Sequence, residues 1–414
     1  MNIEITAEVE YIISTLEKNG YEAYAVGGCI RDSIMGGNPK DWDICTSAHP
    51  NQTIKCFKKH TIIETGLKHG TVTLILEHKP FEITTYRIDG DYIDNRRPDS
   101  VEFVSDLKKD LSRRDFTVNA IAYNPRDGIV DYFNGIDDIK SKIIRCVGNA
   151  DQRFQEDALR IMRALRFASA LGFTIDKNTS EAIYNNKILL KNIAVERIAI
   201  ELNKLITGEN AGNIIFEYTS VMTEIIPEIE EILHSGNNDS RWKCTVSNTD
   251  NAPVNAVLRL TALLYGITGH KPPQDASDTA RKILRRLKYD NATVSSVTKL
   301  ILYRDSEIKP ERIHIKRWLN KTGENTFRQL IKIREADIKY QEILILLDEI
   351  INKRLCFSLK DLAVRGDDLI NAGLSKGTEI GEILNLLLDM VIDEKVDNNK
   401  QDLLETALKI INRA

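Results

Sequence analysis

Two aspartates separated by one residue, Asp41 and Asp43, are the first side chains whose spacing suits chemistry. They open a predicted strand, 41–45, and side chains alternate along a strand, so both carboxylates should leave the same face about 7 Å apart. Carboxylate oxygens are the ligands that magnesium prefers, and magnesium held this way serves phosphoryl or nucleotidyl transfer. Taken alone, the pattern is equally typical of a solvated strand edge.

Two glycines precede these aspartates. Gly27 and Gly28 lie between a predicted strand, 22–26, and a short predicted helix. Bare backbone N–H groups at such a turn can bind a triphosphate, and Arg31 adds a bidentate cation. An ordinary strand-to-helix turn explains the glycines alone, but the aspartates that follow favour a phosphate-binding turn.

Together these segments resemble the first motif of the DNA polymerase β-like nucleotidyltransferase superfamily. The resemblance implies that Asp41 and Asp43 hold magnesium and that Gly28 and Arg31 contact a nucleotide. It also implies a third acidic group on a neighbouring strand, for which Glu82 is the candidate. A surface carboxylate is the alternative for Glu82.

A second cluster runs from Arg113 to Ala120. Arginines followed by an aspartate and an asparagine can bind phosphate and ribose hydroxyls. The string resembles the second motif of class II tRNA nucleotidyltransferases and bacterial poly(A) polymerases. By that resemblance, Arg114 and Asp115 contact the incoming nucleotide, and Asn119 helps to hold the site.

A third segment, 155–167, carries a carboxylate and regularly spaced arginines. On one predicted helix, Asp157 lies three residues before Arg160, and Arg163 and Arg166 continue the same face. Ordinary surface ion pairing is the alternative interpretation. The segment matches the Glu-Asp-x-x-Arg motif of the class II enzymes, in which the equivalents of Asp157 and Arg160 pair with the base; Arg163 and Arg166 would serve phosphates or the helix scaffold.

This pairing solves a recognition problem without a template. Cytosine and adenine both present an amino donor beside a ring-nitrogen acceptor, whereas uracil and guanine present a carbonyl beside a ring N–H. A fixed carboxylate next to a fixed guanidinium therefore accepts the first two bases and leaves unpaired groups against the others.

Three further segments refine the resemblance. Residues 131–139 resemble the linker motif between the catalytic and neck regions, and residues 196–202 resemble the last motif, which steadies the base-reading helix. The polar loop Asp89 to Pro98 resembles the flexible loop that is shortened or altered in enzymes that add only CC. Its intact form favours addition of the whole CCA sequence or of the terminal A.

The resemblance implies an enzyme that adds the 3′-terminal CCA of tRNA from CTP and ATP, with magnesium and without a nucleic-acid template. An A-adding specialist and a poly(A) polymerase are the alternatives within the family, and a non-catalytic tRNA-binding protein is the alternative outside it. None of the seven histidines is followed by aspartate, so no phosphohydrolase activity of the kind found in some relatives is expected.

The predicted fold class is α+β, because strand signals fade after about residue 150 and apolar residues then recur at helical spacing. We expect a small mixed-sheet head of the polymerase-β type (1–140), followed by an all-helical neck (141–207), body (208–330) and tail (331–414). Two polar segments, 234–253 and 268–278, are predicted loops.

The overall composition bears on the cellular location of the protein and on its binding partner. No apolar stretch approaches the length of a membrane span and no signal-peptide pattern is visible, so a cytoplasmic protein is expected. Six scattered cysteines predict reduced packing residues. The net charge of −4 hides two basic stretches that are predicted to contact tRNA phosphates. They comprise Arg281, Lys282, Arg285, Arg286 and Lys288, and then Arg312, Lys316, Arg317, Lys321, Arg328, Lys332 and Arg334.

Overall fold

The computed structural model describes residues 3–90, 92–93, 97–98, 101–234, 238–334, 340–373 and 377–411. The chain divides into two compact units, Met1–Ile267 with Ile283–Tyr289, and Thr268–Lys282 with Asp290–Ala414. The first unit combines a mixed sheet with helices, and the regular elements described in the second unit are all helices. The predicted α+β class is therefore confirmed, whereas the division into head, neck, body and tail stays a prediction.

Seven strands form the mixed sheet of the first unit. They are β1 Ala23–Val26, β2 Asp43–Thr46, β3 Thr61–Ile63, β4 Thr71–Leu76, β5 Lys79–Thr85, β6 Ile121–Asn124 and β7 Gly128–Asp131. Their order across the sheet is β7-β6-β1-β2-β5-β4-β3. Strands β2 and β5 run parallel, and the other neighbours are antiparallel. Three two-stranded ladders pair Arg87–Asp89 with Val101–Phe103, Tyr92–Ile93 with Arg97–Pro98, and Ile143–Ile144 with Thr174–Ile175.

The helices divide between the two units. In chain order they are α1 Ala7–Lys18, α2 Gly28–Ile34, α3 Pro50–Cys56, α4 Leu107–Ser112, α5 Gly135–Ser141, α6 Ala150–Glu156, α7 Leu159–Leu171, α8 Lys177–Asn186, α9 Val195–Ile206, α10 Ala211–Glu217, α11 Thr219–Ile225, α12 Ile229–Leu233, α13 Asn238–Asn251, α14 Ala256–Thr268, α15 Pro273–Arg286, α16 Asn291–Tyr303, α17 Arg312–Thr322, α18 Glu324–Lys332, α19 Tyr340–Asn352, α20 Gly366–Asn371, α21 Thr378–Ile392 and α22 Lys400–Ile411. Short 3₁₀ turns occur at Leu67–His69, Thr117–Asn119, Lys187–Asn192 and Leu359–Asp361.

The predicted strands are present with shifted ends. Strand β4 has the predicted bounds, but β2 begins at Asp43, so Asp41 precedes the strand instead of opening it. Burial in β4 alternates strictly along the strand, as expected where one face covers the core and the other does not.

The predicted loop at 234–253 is wrong, because α13 occupies most of it. Serine, asparagine and aspartate disfavour helix in isolation. Here Trp242, Val246 and Thr249 recur at helical spacing and are at most 4% exposed. Buried threonine hydroxyls donate to carbonyls one turn earlier, and the Trp242 indole donates to the Thr219 hydroxyl at 2.7 Å. Tertiary burial therefore outweighs local propensity.

The predicted loop at 268–278 is wrong over its second half. Helix α15 begins at Pro273, where the missing N–H of proline costs nothing because the first turn has no intrahelical acceptor for it. A Pro-Pro pair therefore marks the start of a helix here. Of the helices in the described part of the chain, none is both long and apolar enough to cross a bilayer. All six cysteines are free thiols.

A buried arginine ties three elements of the first unit together. Arg259 in α14 is 4% exposed. Its guanidinium donates to the carbonyls of Ile206 and Gly208 at 2.7 Å each, of Asp250 at 2.9 Å and of Ala252 at 3.1 Å. These carbonyls lie at and beyond the C-terminal ends of α9 and α13, where no further helical N–H is available to them.

We predict that Arg259→Met lowers the free energy of unfolding by about 3 kcal/mol, because four carbonyls lose a charged donor. Arg259→Lys should recover part of this loss. The measurement is the urea midpoint of the first unfolding transition. Arg126→Met, which removes a 67% exposed guanidinium from a surface ion pair, is the control and should change the midpoint little. Equal effects of the two substitutions would contradict the prediction.

Candidate functional site

Two of the three predicted acidic residues, Asp43 and Glu82, lie on neighbouring strands. Asp43 and Glu82 are direct partners in the parallel register of β2 and β5. Asp41, Asp43 and Glu82 are all exposed, and Asp41 lies two residues before Asp43, ahead of β2. Within the described residues, no three acidic, histidine or cysteine side chains are already gathered closely enough to hold a metal ion.

The electrostatics of Asp43 distinguish it from an ordinary surface carboxylate. Solvent reaches the side chain, yet many protein atoms surround it, and this partial dehydration raises the pKa of its carboxyl. Repulsion from Glu82 and Asp41 raises the pKa further, while the Arg114 guanidinium opposes the shift. Asp43 therefore carries negative charge that its protein surroundings compensate only in part.

The glycine turn has the predicted strand-turn-helix form. Gly27 links β1 to α2 with φ +87° and ψ −131°, a conformation that non-glycine residues rarely adopt. A Cβ at Gly27 would lie 3.0 Å from Nη1 of Arg114. The bare backbone thus lets Arg114 lie against the turn, and an ion pair to the buried Asp110 at 3.6 Å holds the same guanidinium from behind.

Asp115 is the centre of the site's hydrogen-bond network. Its Oδ1 accepts from the Phe116 amide at 2.8 Å and from Asn119 Nδ2 at 3.1 Å, and its Oδ2 accepts from Arg163 Nε at 2.8 Å and Nη2 at 2.6 Å. The side-chain amide oxygen of Asn119, Oδ1, in turn accepts a hydrogen bond from Arg31 Nη1 at 2.6 Å. One carboxylate and one amide therefore position arginines from two separate helices.

Burial alone would raise the pKa of the Asp115 carboxyl. The ion pair with Arg163 and the hydrogen bond from Asn119 outweigh that effect and lower the pKa to about 2. Asp115 is therefore ionised throughout the neutral range. Because its oxygens already accept four protein donors, Asp115 acts first as an organiser of arginines.

The segment predicted to read the base is not one continuous helix. Helix α6 ends at Glu156, and Asp157 is extended, with φ −138° and ψ 102°, before α7 begins at Leu159. The predicted single helix is wrong at this point. The Asp157 carboxylate accepts from the Leu159 amide and from Arg197 Nη2, each at 3.1 Å, so α9 holds it in place. Sequence periodicity concealed the break because helical spacing continues on both sides.

Arg160 is held separately from Asp157. Its Nη1 donates to Glu156 at 2.8 Å, and its Nη2 donates to the Arg113 carbonyl at 3.1 Å. The side chain is 8% exposed. The two predicted base-reading groups thus lie on either side of a backbone break, and each is fixed by a different neighbour.

Arg163 and Arg166 follow on α7 as predicted. Arg163 pairs with Asp115, and Arg166 Nε lies 2.8 Å from Oε2 of the buried Glu201 on α9. Both guanidiniums lie over the ring of Phe167, as does Arg31. The structure therefore brings together Arg31, Asp115 and Asn119 with these two arginines.

Sequence reasoning missed the partners that fix these side chains. Glu156 has a local signal, because it precedes Arg160 by four residues on a helical pattern. Arg197 and Glu201 contact Asp157 and Arg166 from the segment interpreted as structural, and nothing local identifies those contacts. Asp110, which is fully buried beneath Arg114, gave no signal either.

The predicted flexible loop falls partly outside the described residues. The backbones of Tyr92–Ile93 and Arg97–Pro98 form a short antiparallel ladder, while residues 91, 94–96 and 99–100 are not described. The preference for full CCA or A addition that rests on this loop stays a prediction.

Many cations of the two predicted tRNA-binding stretches already have carboxylate partners. Within the second unit, Lys316 pairs with Glu394 at 3.2 Å, and Arg328 pairs with Glu324 at 2.8 Å. The other pairs are Arg281 with Asp278, Arg286 with Glu228, Lys288 with Glu196, Arg312 with Glu349 and Arg317 with Asp393. These pairs reduce the positive field of both stretches, whose role in tRNA binding stays a prediction.

Three matches to protein families, together with the geometry of the site, define the class of protein. Residues 23–145 match the poly A polymerase head domain, residues 172–233 match a probable RNA- and SrmB-binding site of polymerase A, and residues 272–407 match a putative second domain of tRNA nucleotidyltransferases. A head with paired carboxylates beside a glycine turn, followed by helices, is thus the architecture of a nucleotidyltransferase.

Individual relatives narrow this class to a family. A CCA-adding enzyme of Lactobacillus helveticus is 36% identical over 398 residues, which cover 94% of this chain and 93% of the relative. One from Oceanobacillus iheyensis is 50% identical over 204 residues, about half of each chain. The crystal structure of the Bacillus stearothermophilus CCA-adding enzyme in complex with CTP covers 98% of this chain and 97% of its own, with 30% identity and a TM-score of 0.80. The chain belongs to the CCA-adding enzyme family.

We predict that Gly27→Ala raises the KM for a nucleoside triphosphate by roughly tenfold to a hundredfold, because the new methyl group displaces the charged Arg114 donor. Gly36→Ala is the matched control: Gly36 also has positive φ, at +81°, but a Cβ there meets nothing within 4 Å. Both variants should lose some stability, measured by thermal unfolding. If both raise the constant equally, backbone strain and not Arg114 is responsible.

We also predict a defined pH dependence for Asp115→Asn. The folded pKa of about 2 lies below the unfolded value of about 4, so the carboxylate stabilises the fold above pH 4 and loses this effect as the pH falls towards 2. The stability difference from the parent, on the order of 2 kcal/mol, should be constant between about pH 5 and 8 and shrink below about pH 4. Urea unfolding across this range tests it, and a difference that grows on acidification would contradict it.

Proposed function

We propose that the protein adds the 3′-terminal CCA sequence to tRNA from CTP and ATP, without a nucleic-acid template and with release of pyrophosphate. The observation that carries this proposal is the Asp115 network, which joins Arg163 of α7 to Asn119 and, through Asn119, to Arg31 of the helix that follows the glycine turn. The similarity to CCA-adding enzymes over nearly the whole chain supports it. Because tRNA, CTP and ATP are present together in the cytoplasm, we propose that the protein is cytoplasmic.

In the proposed reaction, the acidic residues Asp41, Asp43 and Glu82 mark the position of the reacting phosphate. Magnesium commonly binds through one or two carboxylates together with substrate phosphates, so a pair of adjacent carboxylates suffices. The uncompensated charge at Asp43 fits such a cation. When bound, magnesium would neutralise phosphate charge and favour ionisation of the tRNA 3′ hydroxyl. We assign the metal to Asp41 and Asp43 and a supporting catalytic role to Glu82.

The remaining side chains would orient the nucleotide. The Gly28 amide and the Arg31 and Arg114 guanidiniums form the phosphate side of the site, where charge-assisted hydrogen bonds are strong. Asn119 positions Arg31 and Asp110 positions Arg114, while Asp115 holds Asn119 and Arg163 in place beside the nucleotide. Orientation of this kind lowers the barrier because the reacting groups no longer have to find each other by diffusion.

Base selection would fall to Asp157 and Arg160. A carboxylate accepts from the exocyclic amino group of cytosine or adenine, and a guanidinium donates to the adjacent ring nitrogen. The fixed positions of both groups, set by Arg197 and Glu156, would make uracil and guanine leave buried groups unpaired. Arg163 and Arg166 would hold phosphates and brace the helix.

The alternative within the family is an A-adding specialist or a poly(A) polymerase. These enzymes would need the same carboxylates and the same arginines, so the geometry favours none of the three. Coverage of the CCA-adding relatives along nearly their whole length favours full CCA addition.

We predict that the protein extends three tRNA substrates, ending before CCA, after C and after CC, to the complete CCA end with CTP, ATP and magnesium. Product lengths on a sequencing gel provide the measurement. Completion of only the CC-ended tRNA would identify an A-adding specialist, and long A tails would identify a poly(A) polymerase. Incorporation of UTP or GTP at rates similar to CTP would contradict the assignment of Asp157 and Arg160.

The same assay tests the carboxylates. Asp43→Asn should lower kcat by roughly a thousandfold, which corresponds to about 4 kcal/mol of lost transition-state stabilisation. Binding of tRNA should remain. Glu77→Gln is the control, because Glu77 is an exposed acid at the turn between β4 and β5. Equal activity of Asp43→Asn and the parent would refute the metal assignment.

A further inference from the structure

The ring of Phe167 lies among three positive charges. The guanidinium carbon of Arg166 is 3.7 Å from the ring centroid, that of Arg31 is 5.2 Å away, and that of Arg163 is 5.4 Å away. Phe116 packs edge-to-face on the same ring, with centroids 5.8 Å apart at 79°. Phe167 itself is 7% exposed. A buried aromatic ring thus joins arginines from α2 and α7.

Three guanidiniums around one ring repel each other. Burial lowers the pKa of Arg166 and the nearby Arg163 and Arg31 lower it further, while Glu201 opposes the shift. The carboxylate and amide partners described above compensate part of this repulsion. The negative face of an aromatic ring attracts cations within about 6 Å of its centroid, and all three arginines are inside that limit.

We propose that Phe167 is a positioning residue for nucleotide addition, because its ring holds the guanidiniums of Arg31, Arg163 and Arg166 in place before the triphosphate binds. This inference rests on the proposed function. Without the ring's attraction, the three cations separate, and binding of the triphosphate has to reassemble them. The cost appears in nucleotide affinity, and we expect it to be the same for CTP and ATP, because the three guanidiniums around the ring are assigned to the phosphates that both nucleotides share and not to the base.

Phe167 could act by filling space in the core or by attracting the guanidiniums to the face of its ring, and the two roles respond differently to a change in the charge of the ring. Fluorination withdraws charge from the face of a phenyl ring with little change in shape, so it weakens the attraction for cations and leaves the packing nearly intact. If Phe167 only fills space, fluorination should leave nucleotide binding unchanged. If its ring attracts the guanidiniums, fluorination should weaken nucleotide binding.

The test is site-specific replacement of Phe167 by mono-, di- and trifluorophenylalanine in the full-length protein. The KM values for CTP and ATP should rise together and progressively, by roughly fivefold to thirtyfold for the trifluoro ring, with kcat within about twofold of the parent. The preference for CTP and ATP over UTP and GTP should be unchanged. The thermal midpoint should stay near that of the parent.

Trifluorophenylalanine at Phe173 is the matched control, since this ring is 2% exposed and, among the described residues, has no cation over its face. If fluorination fails to give folded protein, Phe167→Leu should raise both KM values and Phe167→Tyr, which keeps a negative face, should restore them. Calorimetric titration of CTP gives a readout without turnover.

Different results would contradict the role of Phe167 and the proposed function. A flat KM series, a fall in kcat alone, or equal effects at Phe173 would overturn the role of Phe167 while leaving the proposed function standing. An unmodified protein that cannot extend any of the three tRNA substrates would instead overturn the proposed function.

Discussion

The ionised carboxylate of Asp115 is the constraint on which the rest of the site depends. It is buried, and it accepts donors from its own turn, from Asn119 and from Arg163. Burying such a charge costs free energy unless every lone pair finds a donor. The need to satisfy this carboxylate therefore fixes the distance between the sheet region and α7, and it fixes which way Arg31 and Arg163 face.

The carboxylate pair and the arginine network play opposite electrostatic roles. Asp43 and Glu82 are direct partners on parallel strands, and the negative charge of Asp43 is only partly compensated. Under the proposed function, this charge suits a cation that arrives with its substrate. Around Phe167, positive charge is crowded and then offset by Asp115, Glu201 and the ring. Neighbouring regions of excess negative and excess positive charge match the two partners of a metal-bound triphosphate.

The sequence predicted those parts of the molecule that depend on neighbouring residues. The strand and the glycine turn follow from alternation and spacing, whereas the choice of Glu82 on a neighbouring strand came from the resemblance to the superfamily, and its register with Asp43 comes from the structure. Helix α13 was missed because its threonines become helix formers only when Trp242 packs against α11. The break at Asp157 and its ion pair with Arg197 were missed for a related reason, since the two residues are forty positions apart and only the tertiary fold brings them together.

The break between α6 and α7 also bears on how nucleotide preference can evolve. Asp157 depends on α9 for its position, whereas Arg160 depends on Glu156 and on the Arg113 carbonyl. The spacing between the two groups can therefore change through substitutions at their supports, with the groups themselves intact. Under the proposed assignment of Asp157 and Arg160 to base selection, substitutions at Arg197 and Glu156 would alter nucleotide preference without changing the selecting groups, so a mutational search for altered incorporation would include both.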